Sequence, residues 1–532
     1  MTYTSLNYIL FTALCLIFYY TFPKKCRWWV LLAASLGFYA IVCLKYIGFI
    51  FLTSLSTYIG GLLIERRTAK YELYIETRKG SWTKEEKSAY KSRYERNKKL
   101  LTAIVLVINF GILAFLKYYN FFTNALNTII NPLGGELPQL ELFLPLGISF
   151  YTFQSMGYVI DIYRQKYHAE KNYAKILLFT SFFPQIVQGP ISFYSQLSGQ
   201  LYEGHSLKIE NIKQGILLIT WGFFKKLIIA DRLVNAILTI PQDYERYSGT
   251  IILITALFYA LQLYADFSGG IDISRGVAQL FGINLDENFK RPYFSRSISE
   301  YWRRWHITLG AWLREYLFYP IAMSKLFQKF GKNLKKRYGI KISKVLPVSI
   351  ASLITFIIIG IWHGAYWKYV GFGLWNGLVI MISTLLEDNF TKWKENLHIK
   401  DTNVFFIGFQ IIRTFLIVLV GYYFDIAPGF KAALNMMYRS VADFHMSELT
   451  QYALLETLGI NRKELLVIAA AVLIMLAVSI FQERYQKTLR EYICSKNFII
   501  QSLVFMVLFW SVVIFGVYGP GTDPAEFVYM QF

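Results

Sequence analysis

Apolar runs of membrane-crossing length recur along the whole chain, and most of its charge falls in the stretches between them. A hydrocarbon core of about 30 Å needs roughly 20 mainly apolar residues in one helix. Within that core every backbone polar group must be satisfied internally, which leaves helices or closed barrels. The candidate spans are 5–22, 28–44, 46–64, 100–119, 142–162, 211–230, 249–267, 345–362, 365–386, 404–424, 464–482 and 497–518. Only 17% of residues are charged, against about 25% in soluble domains. Aromatic residues reach 18%, and Trp and Tyr gather where membrane meets water. The sequence therefore predicts an all-α, polytopic integral membrane protein. It forms one membrane domain, 1–532, of roughly 12 transmembrane helices in the lipid bilayer of the cell membrane.

The net charge is +21, from 55 basic and 34 acidic residues. Nucleic-acid binding is one explanation, and the collection of Lys and Arg in cytoplasmic loops is the other. The basic runs fall between hydrophobic spans, so the second is preferred and no nucleic acid is expected. Lys24, Lys25 and Arg27 put the first loop inside. The charged excursion 65–99, with twelve Lys and Arg, is also cytoplasmic. Its pattern suits a solvated helical face. Residues 120–140 carry no Lys or Arg and are placed outside. Arg164, Lys166 and Lys171 return inside, as do 324–344 and the stretch holding Arg484, Lys487, Arg490 and Lys496. Twelve crossings with both ends outside fit these loops. Residues 1–4 have no basic side chain and the apolar run after them is long, so no cleavable signal is expected. Cys15, Cys26, Cys43 and Cys494 are scattered without metal-ligand spacing, so neither a disulfide nor a metal site is expected.

Two regions resist a plain crossing. Residues 173–200 are apolar but contain Pro184, Gln185, Gln188, Gly189 and Pro190. They read either as a re-entrant segment, buried in protein or lining a cavity, or as a tight cytoplasmic loop. Residues 268–323 mix Arg, Asp, Trp and Gly with aromatics and suit interfacial helices around a cavity.

Two of the six histidines fall in membrane-associated stretches. An ionisable group there is costly and usually faces a partner or a cavity. His306 ends Tyr301-Trp302-Arg303-Arg304-Trp305-His306. On one continuous helix Trp302, His306 and Leu309 or Gly310 share a face. Arg303, Arg304 and Arg314 suit phosphates or lipid headgroups. The plainer reading is a basic interfacial helix with His306 as a polar anchor. His363 follows Trp362 and precedes Gly364, with Gly371, Gly373 and Gly377 on the next helix. Small residues let helices approach closely, so His363 is either a packing element or a general base kept neutral by burial. Asp266, Asp272, Arg275 and Arg413 are further in-membrane polar groups, with internal ion pairing as their plainest role. The chain lacks a convincing covalent-nucleophile motif, which leaves the histidines as the best base candidates.

At these residues the chain resembles the membrane-bound O-acyltransferase superfamily, in particular its bacterial alginate O-acetylation type. The blocks that carry the resemblance are Pro145–Gln154, Phe182–Pro190, Asp266–Gly269, Asn288-Phe289, Pro292-Tyr293, Tyr301–His306 and Trp362–Gly364, together with the aromatic ending Phe527–Phe532. The core of the likeness is 145–380. It implies helices around a funnel, with His363 on the family's catalytic histidine and His306 on its second functional histidine. It also implies an acyl group, acetyl above all, leaving a cytoplasmic thioester and crossing the membrane. An extracytoplasmic acyltransferase partner then often places that group on a polysaccharide hydroxyl. Acyl transfer needs a base on the hydroxyl and a holder for the oxyanion. His363 is assigned the base, and His306 acceptor orientation or charge stabilisation. Trp302, Arg303, Arg304, Trp305, Trp362 and Asp266 are candidate substrate contacts. The basic cytoplasmic surface suits acyl-CoA or an acidic acyl carrier protein as donor, with no bound cofactor. The chain departs from the alginate pattern at Phe424-Asp425-Ile426-Ala427, where Phe-Arg-Ala is expected, and after Pro320. These departures bear on the substrate rather than on the reaction class.

The D-alanyl-transfer branch, which loads teichoic acids from a carrier protein, is the alternative within the enzyme class. A non-catalytic transporter is the rival outside it. That reading calls for inverted repeats with matching broken helices, which the sequence lacks.

Overall fold

The computed structural model describes residues 2–79, 81–518 and 527. The described residues are helical, joined by turns and extended segments. They divide into two compact units, Met1–Gly215 with Val277–Asp286, and Ile216–Gly276 with Glu287–Phe532. Among the described residues, seven helical segments are long and apolar enough to cross a bilayer, one of which, Lys24–Thr77, takes in both predicted spans 28–44 and 46–64. The bent pair Trp367–Leu385 and Glu387–Asn396 adds an eighth. The predicted spans that fall short do so for visible reasons. Leu6–Thr21 and Ile148–Tyr163 have 16 residues each. The stretch predicted at 211–230 is split between the Ile209–Phe223 helix and a π-helical turn, Phe224–Ala230.

In the first unit, close helix approach is written in glycine. A Cβ on Gly60 would lie 2.6 Å from Val105 Cγ2, and one on Gly61 3.1 Å from the Tyr158 ring. The Ile47–Thr77 helix therefore packs directly on Lys84–Ile130 and Ile148–Tyr163. The 65–99 excursion is the outward continuation of two of these helices. Ile47–Thr77 runs past its apolar part, and Lys84–Ile130 starts from a Thr83–Glu86 capping box. That box satisfies two amide donors that a helix N-terminus leaves open. The 173–200 stretch is a chain of short helices, Tyr173–Ser181, Phe183–Ile186 and Tyr194–Tyr202. Its turn is enclosed by protein: Pro184, Gln185, Gln188 and Gly189 are buried, and the Pro184 carbonyl accepts from Tyr3 Oη at 2.6 Å. Irregular backbone is tolerated at membrane depth under just this condition.

The second unit carries every candidate site residue. Its helices Lys325–His363 and Trp367–Leu385 form a tight hairpin. A Cβ on Gly360 would fall 2.2 Å from the Tyr369 carbonyl oxygen, and one on Gly373 2.4 Å from that of Phe356. The glycines after His363 thus do what their spacing predicts: they bring two backbones into contact. Val404–Ile426 packs on this hairpin, with Gly421 against Phe372, Trp375 and Asn376. A second close crossing pairs Gly222 with Gly269, where each Cβ would meet the other's carbonyl oxygen within 3 Å.

Candidate active site

The predicted continuous helix through 299–320 does not form. Ile298–Arg304 stops, Trp305 is extended, and His306 takes the left-handed conformation at φ 45° before Ile307–Leu313 begins. The cause is a competing partner. Trp305 makes an antiparallel bridge with Phe289. Lys290 N donates to the Arg304 carbonyl, and Ile307 N to that of Asn288, both at 3.0 Å. Asn288 Oδ1 accepts from Thr308 N at 3.0 Å and from Thr308 Oγ1 at 2.6 Å. These bonds replace the helical ladder and hold His306 in a conformation that costs a non-glycine residue about 1–3 kcal/mol. His306 and Trp302 are therefore not neighbours on one helical face. Gly310 faces the Trp302 carbonyl at 3.6 Å from a built Cβ.

The break delivers the His306 ring into the protein. It is 3% exposed and meets Phe267 edge to face, ring centres 4.8 Å apart. His306 lies outside the membrane-spanning segments, yet burial pushes its pKa down to about 3, with repulsion from His363 adding to the effect. The imidazole is neutral across the physiological range.

His363 is the last residue of its helix, and Gly364 turns the chain out in an extended conformation. Gly364 is required there, since a Cβ would sit 2.2 Å from the Tyr369 ring. The His363 ring packs on Phe372 at 5.3 Å and Trp362 at 5.2 Å. Trp362 also reaches His306 at 6.5 Å, so one indole touches both imidazoles. Beside His363 is a cavity of about 20 Å³, lined by Trp302, Trp305, Tyr301, Asn376, Tyr422 and Asp425 among others. That is room for one water-sized group, such as a reacting hydroxyl. Trp302 Nε1 donates to Asn376 Oδ1 at 3.2 Å. The Tyr422 hydroxyl bonds those of Tyr301, at 2.8 Å, and Tyr293, at 3.1 Å.

The structure thus brings His363, Trp302 and Trp305 onto one small cavity, while His306 is linked to it only through Trp362, which packs on His363; neither Trp362 nor His306 is on the cavity lining. The other candidates lie elsewhere. Arg304 is committed to internal pairs, with Glu300 at 2.7 Å and Glu483 at 2.9 Å, rather than to a phosphate or headgroup. Arg303 is exposed. Asp266 is fully buried and bonded to Lys226 Nζ at 2.6 Å, which also reaches Asp231 at 2.8 Å. Asp272 pairs with Lys225 at 2.7 Å and Arg275 at 3.6 Å. Internal ion pairing is therefore what Asp266 and Asp272 do. Their lysines escaped the sequence reading because they sit inside an apolar run. Arg413 donates to the Arg296 carbonyl rather than to a carboxylate. Asn376 and Tyr422 also went unread, since nothing in their local sequence separates them from ordinary helix residues. Of the aromatic ending, Phe527 is described, with Lys226 Nζ 4.6 Å from its ring centre. Residues 528–532 lie outside the described residues.

The model of the membrane-bound O-acyltransferase family, MBOAT, matches residues 169–334, a stretch that includes His306. A "Probable alginate O-acetylase AlgI" of Azotobacter vinelandii is 32% identical over 71% of this chain and 67% of its own length. A "Peptidoglycan O-acetyltransferase" of Helicobacter pylori is 30% identical over 68% of this chain and 64% of its own. A "Teichoic acid D-alanyltransferase" of Streptococcus thermophilus is 27% identical over 45% and 56%. The chain spans about two thirds or less of the length of these curated relatives. Seven membrane-length helical segments and a relative of this identity and coverage place the chain, plainly, in the membrane-bound O-acyltransferase family.

Proposed function

We propose that this protein is a cell-membrane O-acetyltransferase. It takes an acetyl group from a cytoplasmic thioester, acyl-CoA or an acyl carrier protein, and passes it across the membrane. The destination is a hydroxyl of an extracytoplasmic polysaccharide, reached directly or through an extracytoplasmic acyltransferase partner. The observation that carries this reading is the meeting of His306 and His363 on one indole, with a water-sized cavity beside His363. His363 acts as general base. It takes the acceptor hydroxyl's proton as that oxygen attacks the thioester carbonyl. The new C–O bond replaces the C–S bond, and the proton leaves with the thiol. Neutral His306 has no charge to offer and serves by hydrogen bonding, orienting the acceptor or holding the oxyanion. Trp302, Trp305 and Trp362 wall the reacting centre off from water.

D-alanyl transfer toward teichoic acid is the second reading, favoured by the likeness to teichoic acid D-alanyltransferases. One experiment separates the two. Purified wild type and His363→Ala are given radiolabelled acetyl-CoA or a D-alanyl-loaded carrier protein, and thioester loss is followed. Consumption of acetyl-CoA by wild type alone is the expected result. Preference for the carrier protein moves the assignment to D-alanyl transfer. A His363→Ala variant as active as wild type refutes the base assignment, and indifference of folded protein to both donors means either that a partner enzyme is obligatory or that the enzyme reading is wrong.

A further inference from the structure

The second unit holds a larger cavity, about 350 Å³, that shares no lining residue with the histidine pocket. Its size is within the range of about 300–1,000 Å³ usual for small-molecule sites. One end is charged, with Lys225, Arg275, Lys290, Arg291 and Arg490 on the lining. The carboxylates there are Asp272 and Glu287, and they are shared. Asp272 binds both Lys225 and Arg275, and Glu287 binds Arg275 at 3.3 Å and Lys290 at 4.0 Å. Arg291 is held by Glu483 at 2.5 Å, but that carboxylate also serves Arg304. Against these five cations stand Asp272 and Glu287 on the lining and Glu483 and Glu491 beside it, which leaves this end positive by one. Asn288 sits at the same end and is 1% exposed. Its Oδ1 is taken by Thr308, while its Nδ2 has no hydrogen-bond partner among the described residues. A buried amide left so costs about 1–3 kcal/mol, which an acceptor oxygen in the cavity would recover.

The other end is apolar, with Ile474, Val478, Leu503, Val504 and Val507. Leu503 and Val507 are 64% and 62% exposed on the apolar span Phe498–Phe515, so this wall opens sideways onto a lipid-facing surface. Arg490 belongs to a loop whose basic residues predict a cytoplasmic position, facing the leaflet surface where anionic lipids attract cations.

We propose that this cavity is a binding site for an anionic phospholipid of the bilayer. Its phosphate lies among Arg275, Lys290 and Arg490, Asn288 Nδ2 donates to a phosphate or ester oxygen, and one acyl chain runs along Val504 and Val507. The sideways opening selects a lipid over a water-borne anion of the same headgroup chemistry, such as coenzyme A.

The test is native mass spectrometry of the detergent-solubilised full chain, titrated with phosphatidylglycerol or phosphatidylcholine. Wild type is expected to bind one saturable phosphatidylglycerol in preference to phosphatidylcholine. The Lys290→Gln, Arg490→Gln double variant should weaken that binding tenfold or more, at about 1 kcal/mol per cation near the surface. Val504→Trp, on the partly exposed face of its helix, fills the apolar end and should abolish the saturable lipid. Equal binding of the two lipids, or wild-type lipid retention by folded Val504→Trp, overturns the proposal. So does displacement of the lipid by coenzyme A at equal concentration, which reassigns the cavity to a soluble donor.

Discussion

Asn288 is the residue on which the position of His306 depends, although it stands 18 positions before it in the chain. Its Oδ1 receives two hydrogen bonds from Thr308, and its carbonyl receives one from Ile307. Asn288→Ala deletes the two side-chain bonds in a site 1% exposed. Each is worth about 1 kcal/mol net, and the Thr308 donors left behind add desolvation cost. The total, roughly 2–4 kcal/mol, is of the same size as the strain of about 1–3 kcal/mol stored in His306's left-handed backbone. Losing it lets the segment relax toward a helix and empties the competent state. At 1.4 kcal/mol per decade, kcat should fall about 30-fold or more with little change in KM, the pattern of a lost transition-state contact. Asn288→Asp keeps an acceptor for both Thr308 donors and should recover most of the rate. Thr308→Val, which removes only the hydroxyl bond, should lie between. The assay is thioester consumption by protein of wild-type elution profile, with His306→Ala as the reference loss. If Asn288→Ala turns over within threefold of wild type while His306→Ala is dead, the backbone bridge does not set the histidine and the reasoning fails.

Three further outcomes follow from the same geometry. His306 has a folded pKa of about 3 against about 6.5 in an unfolded chain, so the unfolded chain takes up its proton first as pH falls. This histidine's contribution is complete above about pH 6.5 and is lost between there and pH 3. From pH 7 to 5 the loss is on the order of 2 kcal/mol, and His306→Gln should show a smaller drop in thermal midpoint over that interval than wild type. Gly373→Ala places a methyl group 2.4 Å from the Phe356 carbonyl oxygen. It should cost about 1–3 kcal/mol in overpacking and reduce turnover by parting the hairpin that carries His363, whereas a fully active, equally stable variant would contradict the close approach. Lys226→Met strands two buried carboxylates, Asp231 and Asp266, and should lose about 3–5 kcal/mol, seen as failed membrane insertion or a collapsed thermal midpoint. Lys226→Met with Asp266→Leu should regain part of it.

What the sequence made legible, and what it hid, divides along one physical line. Hydrophobic length, loop charge and small-residue spacing are local properties, and they located the long spans, the 65–99 helical excursion and the glycine hairpin after His363. The break at His306 is not local. Residues 299–320 carry no Pro until Pro320 and read as a helix. It is Asn288–Lys290, more than ten positions away, that offer the better bonds. The buried lysines follow the same rule. Lys225 and Lys226 pass unnoticed inside the apolar run 211–230 until Asp266 and Asp272 are placed beside them.

That division also says why the two histidines are where they are. An imidazole on an unbroken helix presents its ring to the neighbouring helix surface and competes there for packing. Both histidines instead stand where a helix has been interrupted: His363 at a C-terminus released by Gly364, and His306 at a left-handed N-cap held by the 288–290 bridge. Each interruption would be expensive in lipid, where free backbone groups have no partner. Each is enclosed here: the His306 bridge supplies backbone bonds directly, and Gly364 lies against the Tyr369 ring. Two helix ends meet over Trp362, and the small opening beside His363 sets Asn376, Asp425, Tyr301 and Tyr422 among apolar rings; for the proposed transfer, that is the local condition for moving a proton from a hydroxyl without admitting bulk water. The aromatic residues around it then have a definite task, to keep that opening one hydroxyl wide.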